Sequence, residues 1–294
     1  MAEFRGDQAA GLRRLLSRSQ LRVVTFAAGS QRVGKSVSVA NLASLLARQG
    51  REVLIVDENT DDPVAGFFGA VATNDLQQVI DGEMSLSDVL VPVAPGIRVL
   101  QAARVVGQLA RLTESEKRIL LSSLADIRPQ VDIVLVDTSL DHPLDFSPFG
   151  LAAQETVIVV SPNGSVITEA YALIKKVSLG YQRKHFRILV NKVRTAGEAL
   201  AIHGNIARVT RSRGIARLDF AGHVPVDERL VQASRLCQPV VAIFPESLAA
   251  QAYQALAKEL MNWPANDEAA GGLEQFVKQL LHLSQRIDPV AIHA

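Results

Sequence analysis

Eight consecutive residues constrain this chain more than any other stretch: Gly29-Ser30-Gln31-Arg32-Val33-Gly34-Lys35-Ser36. A glycine, four residues, then Gly-Lys-Ser is the spacing of a phosphate-binding loop. Such a loop needs a strand before it and a helix after it. Leu21–Ala27 reads as the strand and Val37–Gln49 as the helix. Gly29 and Gly34 allow the backbone close to phosphate oxygens, and successive N–H groups turned inward bind anions. The start of the helix, Val37 included, adds partial positive charge at the same place. In this pattern Lys35 reaches the β- and γ-phosphates, and the Ser36 hydroxyl meets Mg²⁺. The bland alternative is a glycine-bearing turn followed by a chance Lys-Ser; the flanking strand and helix argue against it.

Two apolar runs end in aspartate: Glu52-Val53-Leu54-Ile55-Val56-Asp57 and Asp132-Ile133-Val134-Leu135-Val136-Asp137. Continuous apolar runs suit strands buried on both faces of a parallel sheet. Asp57 and Asp137 are then expected at the carboxyl edge, where nucleotide sites form. Asp137 fits a strand-end carboxylate that holds Mg²⁺ through water; the bland reading is a turn residue. With Ser36, Asp57 and Asp137 make the expected metal set. The acidic stretch Glu58–Asp62 reads as a switch loop near the γ-phosphate.

The remaining pattern alternates strands and helices. Residues 75–90 read as a helical pair around Asp81-Gly82, and Gly96–Leu100 as a short strand. Thr113-Glu114-Ser115-Glu116 is a capping box opening a helix to Leu124. Further strands are expected at Thr156–Val160, Phe186–Val190, Asp219–Gly222 and Val224–Asp227, with helices at Ile167–Val177 and Leu248–Met261. The expected fold class is α/β: a three-layer, doubly wound, mostly parallel sheet of the P-loop type. Asn191 ends one strand, where an amide could pair with an adenine edge, being both donor and acceptor; it could equally be a simple turn residue.

Composition matters chiefly for what it excludes. The single cysteine, Cys237, rules out an internal disulfide, and a net charge of +1 argues neither for nor against a polyanionic partner. The first seven residues carry no apolar signal segment, and no apolar run approaches the roughly 18 residues of a spanning helix. A cytoplasmic location is the expectation. Arg208, Arg211, Arg213 and Arg217 cluster without interleaved aromatics, which reads as a solvated helix face, so DNA contact is not expected.

The two ends are organised separately. Residues 1–20 read as an arm with Leu12, Leu15 and Leu16 on one face, and equally as a helix packed on the domain. The P-loop domain is expected over 21–263, with a linker of small and acidic residues at 264–272. Over 273–288, Leu273, Phe276, Val277, Leu280 and Leu281 mark one face of an amphipathic helix. That face must bury itself on the domain, in a partner groove or at a bilayer surface.

With these residues assembled, the chain resembles the MinD/ParA group of P-loop ATPases and, within it, the flagellar-number regulators of the FlhG/FleN type. Asp7-Gln8-Ala9 with Leu12-Arg13 is similar to that family's DQAxxLR motif, and Ile167–Lys175 to its helix after the fourth-strand loop. The resemblance implies several things. Asp7, Gln8, Leu12 and Arg13 would engage an FlhF-type GTPase, Asn191 would contact adenine, and the C-terminal helix would bind membrane peripherally. It implies an ATP-dependent homodimer, the cofactors ATP and Mg²⁺, and possible contact with a flagellar transcription activator and basal-body components.

The chain also departs from that family. The usual loop reads KGGxGK[ST], and its first lysine reaches across a dimer; here that position is Ser30, with Gln31 and Arg32 in place of glycines. The second carboxylate of the usual DxD is Asn59. An amide orients water but cannot take its proton, and Asp61 or Asp62 would have to act from a different spacing. Lys35, Asn59 and Asp137 are the residues expected to carry any ATP turnover, which should be weak because such catalysis is mostly positioning and electrostatics.

Overall fold

The computed structural model describes residues 21–140, 146–263 and 272–286. Eight strands form one sheet in the order β3-β4-β2-β5-β1-β6-β7-β8. They are β1 (Arg22–Ala27), β2 (Val53–Asp57), β3 (Val91–Ala94), β4 (Ile97–Gln101), β5 (Ile133–Asp137), β6 (Glu155–Val160), β7 (His185–Val193) and β8 (Arg217–Pro225). All neighbouring pairs are parallel except β3 with β4. The expected doubly wound α/β sheet is therefore present.

The central strands are apolar throughout because both their faces are covered. Every residue of β2, β5 and β6 is buried. One face carries α1 (Lys35–Arg48) and α10 (Leu248–Asn262), with the short α8 (Glu228–Arg235) and α9 (Val240–Ile243) beside them. The other carries α2 (Leu76–Ile80), α3 (Leu86–Val89), α4 (Glu114–Ala125), α5 (Pro148–Ala152), α6 (Gly164–Tyr181), α7 (Ala196–Ser212) and α11 (Gly272–Arg286). Thr113 closes the expected capping box with Glu116. Gly50, at φ 80°, terminates α1 in the left-handed conformation that glycine adopts at little cost.

Several elements differ from the sequence reading. The antiparallel edge strand β3 was not expected, because Val91-Pro92-Val93-Ala94 is short and interrupted by a proline, a residue tolerated at sheet edges. The two short runs expected at Asp219–Asp227 are one nine-residue strand, kept continuous by register shifts against β7. The five-residue α5 carries too few turns for periodicity to reveal it, although Ser147 caps it and Pro148 opens it.

The C-terminal helix lies on the domain. Val277 and Leu280 are fully buried, Phe276 and Leu281 nearly so, and Leu273 packs partly against the same core. The Phe276 ring meets Phe149 of α5 with centroids 6.5 Å apart. The apolar face expected at a membrane is covered by the protein's own second core. The physical reason is that α4 and α5 leave apolar surface between them, and α11 fills it.

Candidate functional site

The loop between β1 and α1 stands at the carboxyl edge of the sheet, between the ends of β5 and β6. Its two signature glycines are sterically required. A Cβ on Gly29 would lie 2.4 Å from the Glu169 main chain in α6. A Cβ on Gly34, at φ 90°, would lie 2.1 Å from Asn191 Nδ2. Arg32 takes a left-handed backbone, φ 56°, at a place where the resembling family has glycine. For an L-residue that costs roughly 1–2 kcal/mol. Its carbonyl accepts a hydrogen bond from Lys192 Nζ at 2.6 Å.

The loop is braced from two sides. The Ser30 hydroxyl donates to the Glu169 carboxylate. Asn191 is buried, donates from Nδ2 to the Val33 carbonyl at 2.8 Å, and accepts at Oδ1 from Lys192 N–H at 2.8 Å. In this structure the Asn191 amide holds the loop. Gln31 is exposed, while Ser36 and Val37 occupy the first turn of α1 and are half-buried.

Lys35, Asp57, Asn59 and Asp137 converge. Lys35 is buried, with Nζ 2.5 Å from Asp137 Oδ1 and also donating to the Thr138 carbonyl. The lysine expected at phosphates is thus turned into the sheet edge and paired there. Asp57 and Asp137 are register partners on β2 and β5. Burial pushes the Asp57 carboxyl well above its usual range and Asp137 adds to the shift; bonds from Asn59 and the Val64 N–H oppose it. Asn59 Nδ2 lies between the pair, 2.9 Å from Asp57 Oδ1 and 3.0 Å from Asp137 Oδ2. An amide there satisfies two acidic groups that would otherwise repel each other across a buried edge.

Sequence reasoning placed Glu58 only at the start of an acidic switch loop, whereas it is buried. Its carboxylate accepts from the Ser147 hydroxyl and from Ser139 N–H at 3.1 Å, so it ties the end of β2 to both ends of the segment after β5. Burial pushes it up to about 7, against those bonds and the nearby Lys35 charge. Asp61 and Asp62, considered as substitutes for the missing carboxylate, are exposed. The signal for Glu58 was its place directly after a fully buried strand, which leaves little room for a solvated side chain.

The donor set suits a hydrated magnesium ion. Mg²⁺ at nucleotide sites takes one or two carboxylates together with phosphate oxygens and waters. Two hard oxygen donors at adjacent strand ends meet that need, and Ser36 stands in the first turn of α1. Among the described residues there is no cluster of three or more His, Cys, Asp or Glu side chains that could hold a metal ion. Asp7, Gln8, Leu12 and Arg13 lie outside the described residues.

A glycine-gated anion loop that leads from the first strand into a helix, facing two strand-end aspartates across a parallel sheet, defines the P-loop nucleotide-binding class. Within that class the chain belongs to the CobQ/CobB/MinD/ParA nucleotide-binding family, whose domain matches residues 24–240. It is 30% identical to the antiactivator FleN of Pseudomonas aeruginosa over 92% of this chain and 97% of that protein. It is 24% identical to the flagellum site-determining protein YlxH of Helicobacter pylori over 90% of this chain and 91% of the other. The fold is similar to that of MinD from Pyrococcus horikoshii, solved with Mg-ADP, at a TM-score of 0.59 and 21% identity, covering 85% of this chain and 98% of that one. The expected kinship with FlhG/FleN-type regulators is met.

Proposed function

We propose that this chain binds ATP with Mg²⁺ and uses nucleotide state to regulate flagellar number or placement, with weak hydrolysis. The observation that carries the reading is the convergence of Lys35, Asp57 and Asp137 beneath an intact glycine-gated loop. Kinship to FleN and YlxH supports the flagellar setting. With nucleotide bound, the Lys35 ammonium would leave Asp137 for phosphate oxygens, and Asp57 and Asp137 would hold water around a magnesium ion. Magnesium supplies charge neutralisation at the phosphates. Loop N–H groups orient the phosphates and α1 presents its positive end.

Turnover is slow in this reading for two reasons. Asn59 orients water but accepts no proton, and Ser30 brings no charge across a dimer. The arm carrying Asp7, Gln8, Leu12 and Arg13 acts on an FlhF-type GTPase, with Gln8 completing the partner's site; a Gln8→Ala protein that stimulates that GTPase as wild type does would remove this part. Contact with a flagellar transcription activator belongs to the same reading. Membrane contact requires α11 to leave the domain, since its apolar face is buried.

A second reading, a non-hydrolysing adaptor whose pocket binds nucleotide or stands empty and which acts through its arm and surfaces, is favoured by the Asn59 amide filling the gap between the carboxylates. ATP binding and phosphate release measured on wild type, Lys35→Ala and Asn59→Asp separate the two. Wild-type turnover abolished by Lys35→Ala supports the slow switch. Turnover appearing only in Asn59→Asp supports the adaptor. No adenine-nucleotide binding by wild type with Mg²⁺ defeats the switch and leaves only an adaptor with an empty pocket.

A further inference from the structure

Three strand ends form one row beside the loop. Gln101 pairs in register with Asp57, and Asp57 with Asp137, so β4, β2 and β5 end in an amide and two carboxylates side by side. Side chains at matched positions of neighbouring strands share a face of the sheet. Gln101 therefore stands on the face that carries the acidic pair. Its Nε2 donates to the Asn59 main-chain carbonyl at 2.5 Å. Asn59 in turn donates from Nδ2 to both carboxylates, and from its N–H to Asp57 Oδ1 at 3.0 Å.

The chemistry of Gln101 does not suit a packing role. It is buried, and its Oε1 has no hydrogen-bond partner among the described residues. An unpaired buried acceptor is costly. The β4 residues on the same face as Gln101, Ile97 and Val99, are aliphatic and buried, and an aliphatic residue would fill this position without that cost. The bond to Asn59 is the contact the amide makes at that cost.

We propose that Gln101 is a positioning residue of the magnesium–nucleotide site. It acts through Asn59: by holding the Asn59 main chain it keeps the Asn59 amide between Asp57 and Asp137, which sets the spacing of the two carboxylates that receive the hydrated cation. Neither residue needs to touch the nucleotide for this. The inference rests on the reading that the site binds a magnesium nucleotide.

The test uses the full chain and a fluorescent ADP analogue, titrated with and without MgCl₂, on wild type, Gln101→Met, Asn59→Ala and the double variant. Wild type should bind, with Mg²⁺ strengthening binding. Gln101→Met should raise the Mg²⁺ concentration needed about tenfold, the usual scale for groups that orient metal ligands, while metal-free nucleotide binding stays within about twofold of wild type, since the phosphate loop itself is untouched. The double variant should be no weaker than Asn59→Ala alone, because one residue acts through the other. If the methionine fails to pack, as judged by melting, Gln101→Leu carries the same test with a side chain typical of β4. Wild-type Mg²⁺ dependence in the folded Gln101 variant, or additive losses in the double variant, overturns the inference while leaving nucleotide binding intact. A wild-type chain that binds no nucleotide overturns the underlying reading and this inference with it.

Discussion

Lys35 Nζ sits 2.5 Å from Asp137 Oδ1 at the end of β5, an ion pair closed inside the phosphate loop. Both side chains are nearly shut off from solvent, at 9% and 0% exposure. Breaking such a pair leaves a buried charge without compensation, at a cost of about 3–5 kcal/mol. Lys35→Ala should therefore do two things: abolish nucleotide binding and lower the stability of the nucleotide-free protein by about 3 kcal/mol. Calorimetric titration with ATP and a urea melt check both. Loss of binding with unchanged stability would mean that the pair is not formed in solution.

Asn59→Asp places a third carboxylate between Asp57 and Asp137, 2.9 and 3.0 Å from where their oxygens meet the present amide. Without a cation the three repel, and the variant should melt lower than wild type by an amount corresponding to about 2–3 kcal/mol, the scale of a buried unpaired polar or charged group. With Mg²⁺ and ATP the deficit should shrink. Thermal melts with and without Mg²⁺ and ATP read this directly; equal deficits in both conditions would sink the idea.

The stability of the nucleotide-free protein should fall as pH rises from about 5 to 8. Glu58 is pushed up to about 7 by burial, above its value in the unfolded chain. Over that range the folded state holds the proton longer than the unfolded state, so rising pH favours unfolding. Once pH exceeds the folded-state value the whole penalty is in force. Asp57, also raised by burial and by Asp137, acts in the same direction. For Glu58 alone the loss is on the order of 2–3 kcal/mol, and Asp57 adds to it. Glu58→Gln, followed by urea melts across that range, should flatten the slope; an unchanged slope would remove Glu58 as its source.

Arg32→Gly should stabilise the fold by about 0.5–1 kcal/mol, since glycine takes the left-handed backbone without the side-chain clash but gives up more freedom on folding. The Lys192 bond is to the Arg32 carbonyl and survives the change. A chemical melt that shows no gain would indicate that the loop relaxes out of this conformation.

Removing residues 272–294 should eliminate association with anionic liposomes, if α11 is the element that reaches a bilayer. Vesicle sedimentation of the full and shortened chains, with and without ATP, measures it. Equal sedimentation would direct the helix to a protein surface.

The parts of the fold legible in the sequence were those that repeat a local pattern many times. β2 and β5 announced themselves by unbroken apolar runs ending in Asp57 and Asp137, and α1 by its loop and the glycine at its end. What stayed hidden depended on contacts between distant segments. Nothing local in Glu58 marks it as the tie between Ser139 and Ser147, and nothing in Gln101 marks the bond to a carbonyl 42 residues away in sequence. The tail was legible as amphipathic, but which surface its apolar face meets is decided by the shape left between α4 and α5. Asn191 was legible as a strand-end amide, while its use as a brace came from the close approach of Gly34.

The seating of α11 makes its departure a two-sided event. When Phe276 and Val277 lift away, Phe149 and the rest of the trough beneath them are bared in the same motion. A lipid surface can shelter only the helix. The vacated trough must either close up or take in another guest, so the chain cannot become adhesive at its tail without also becoming adhesive at its flank.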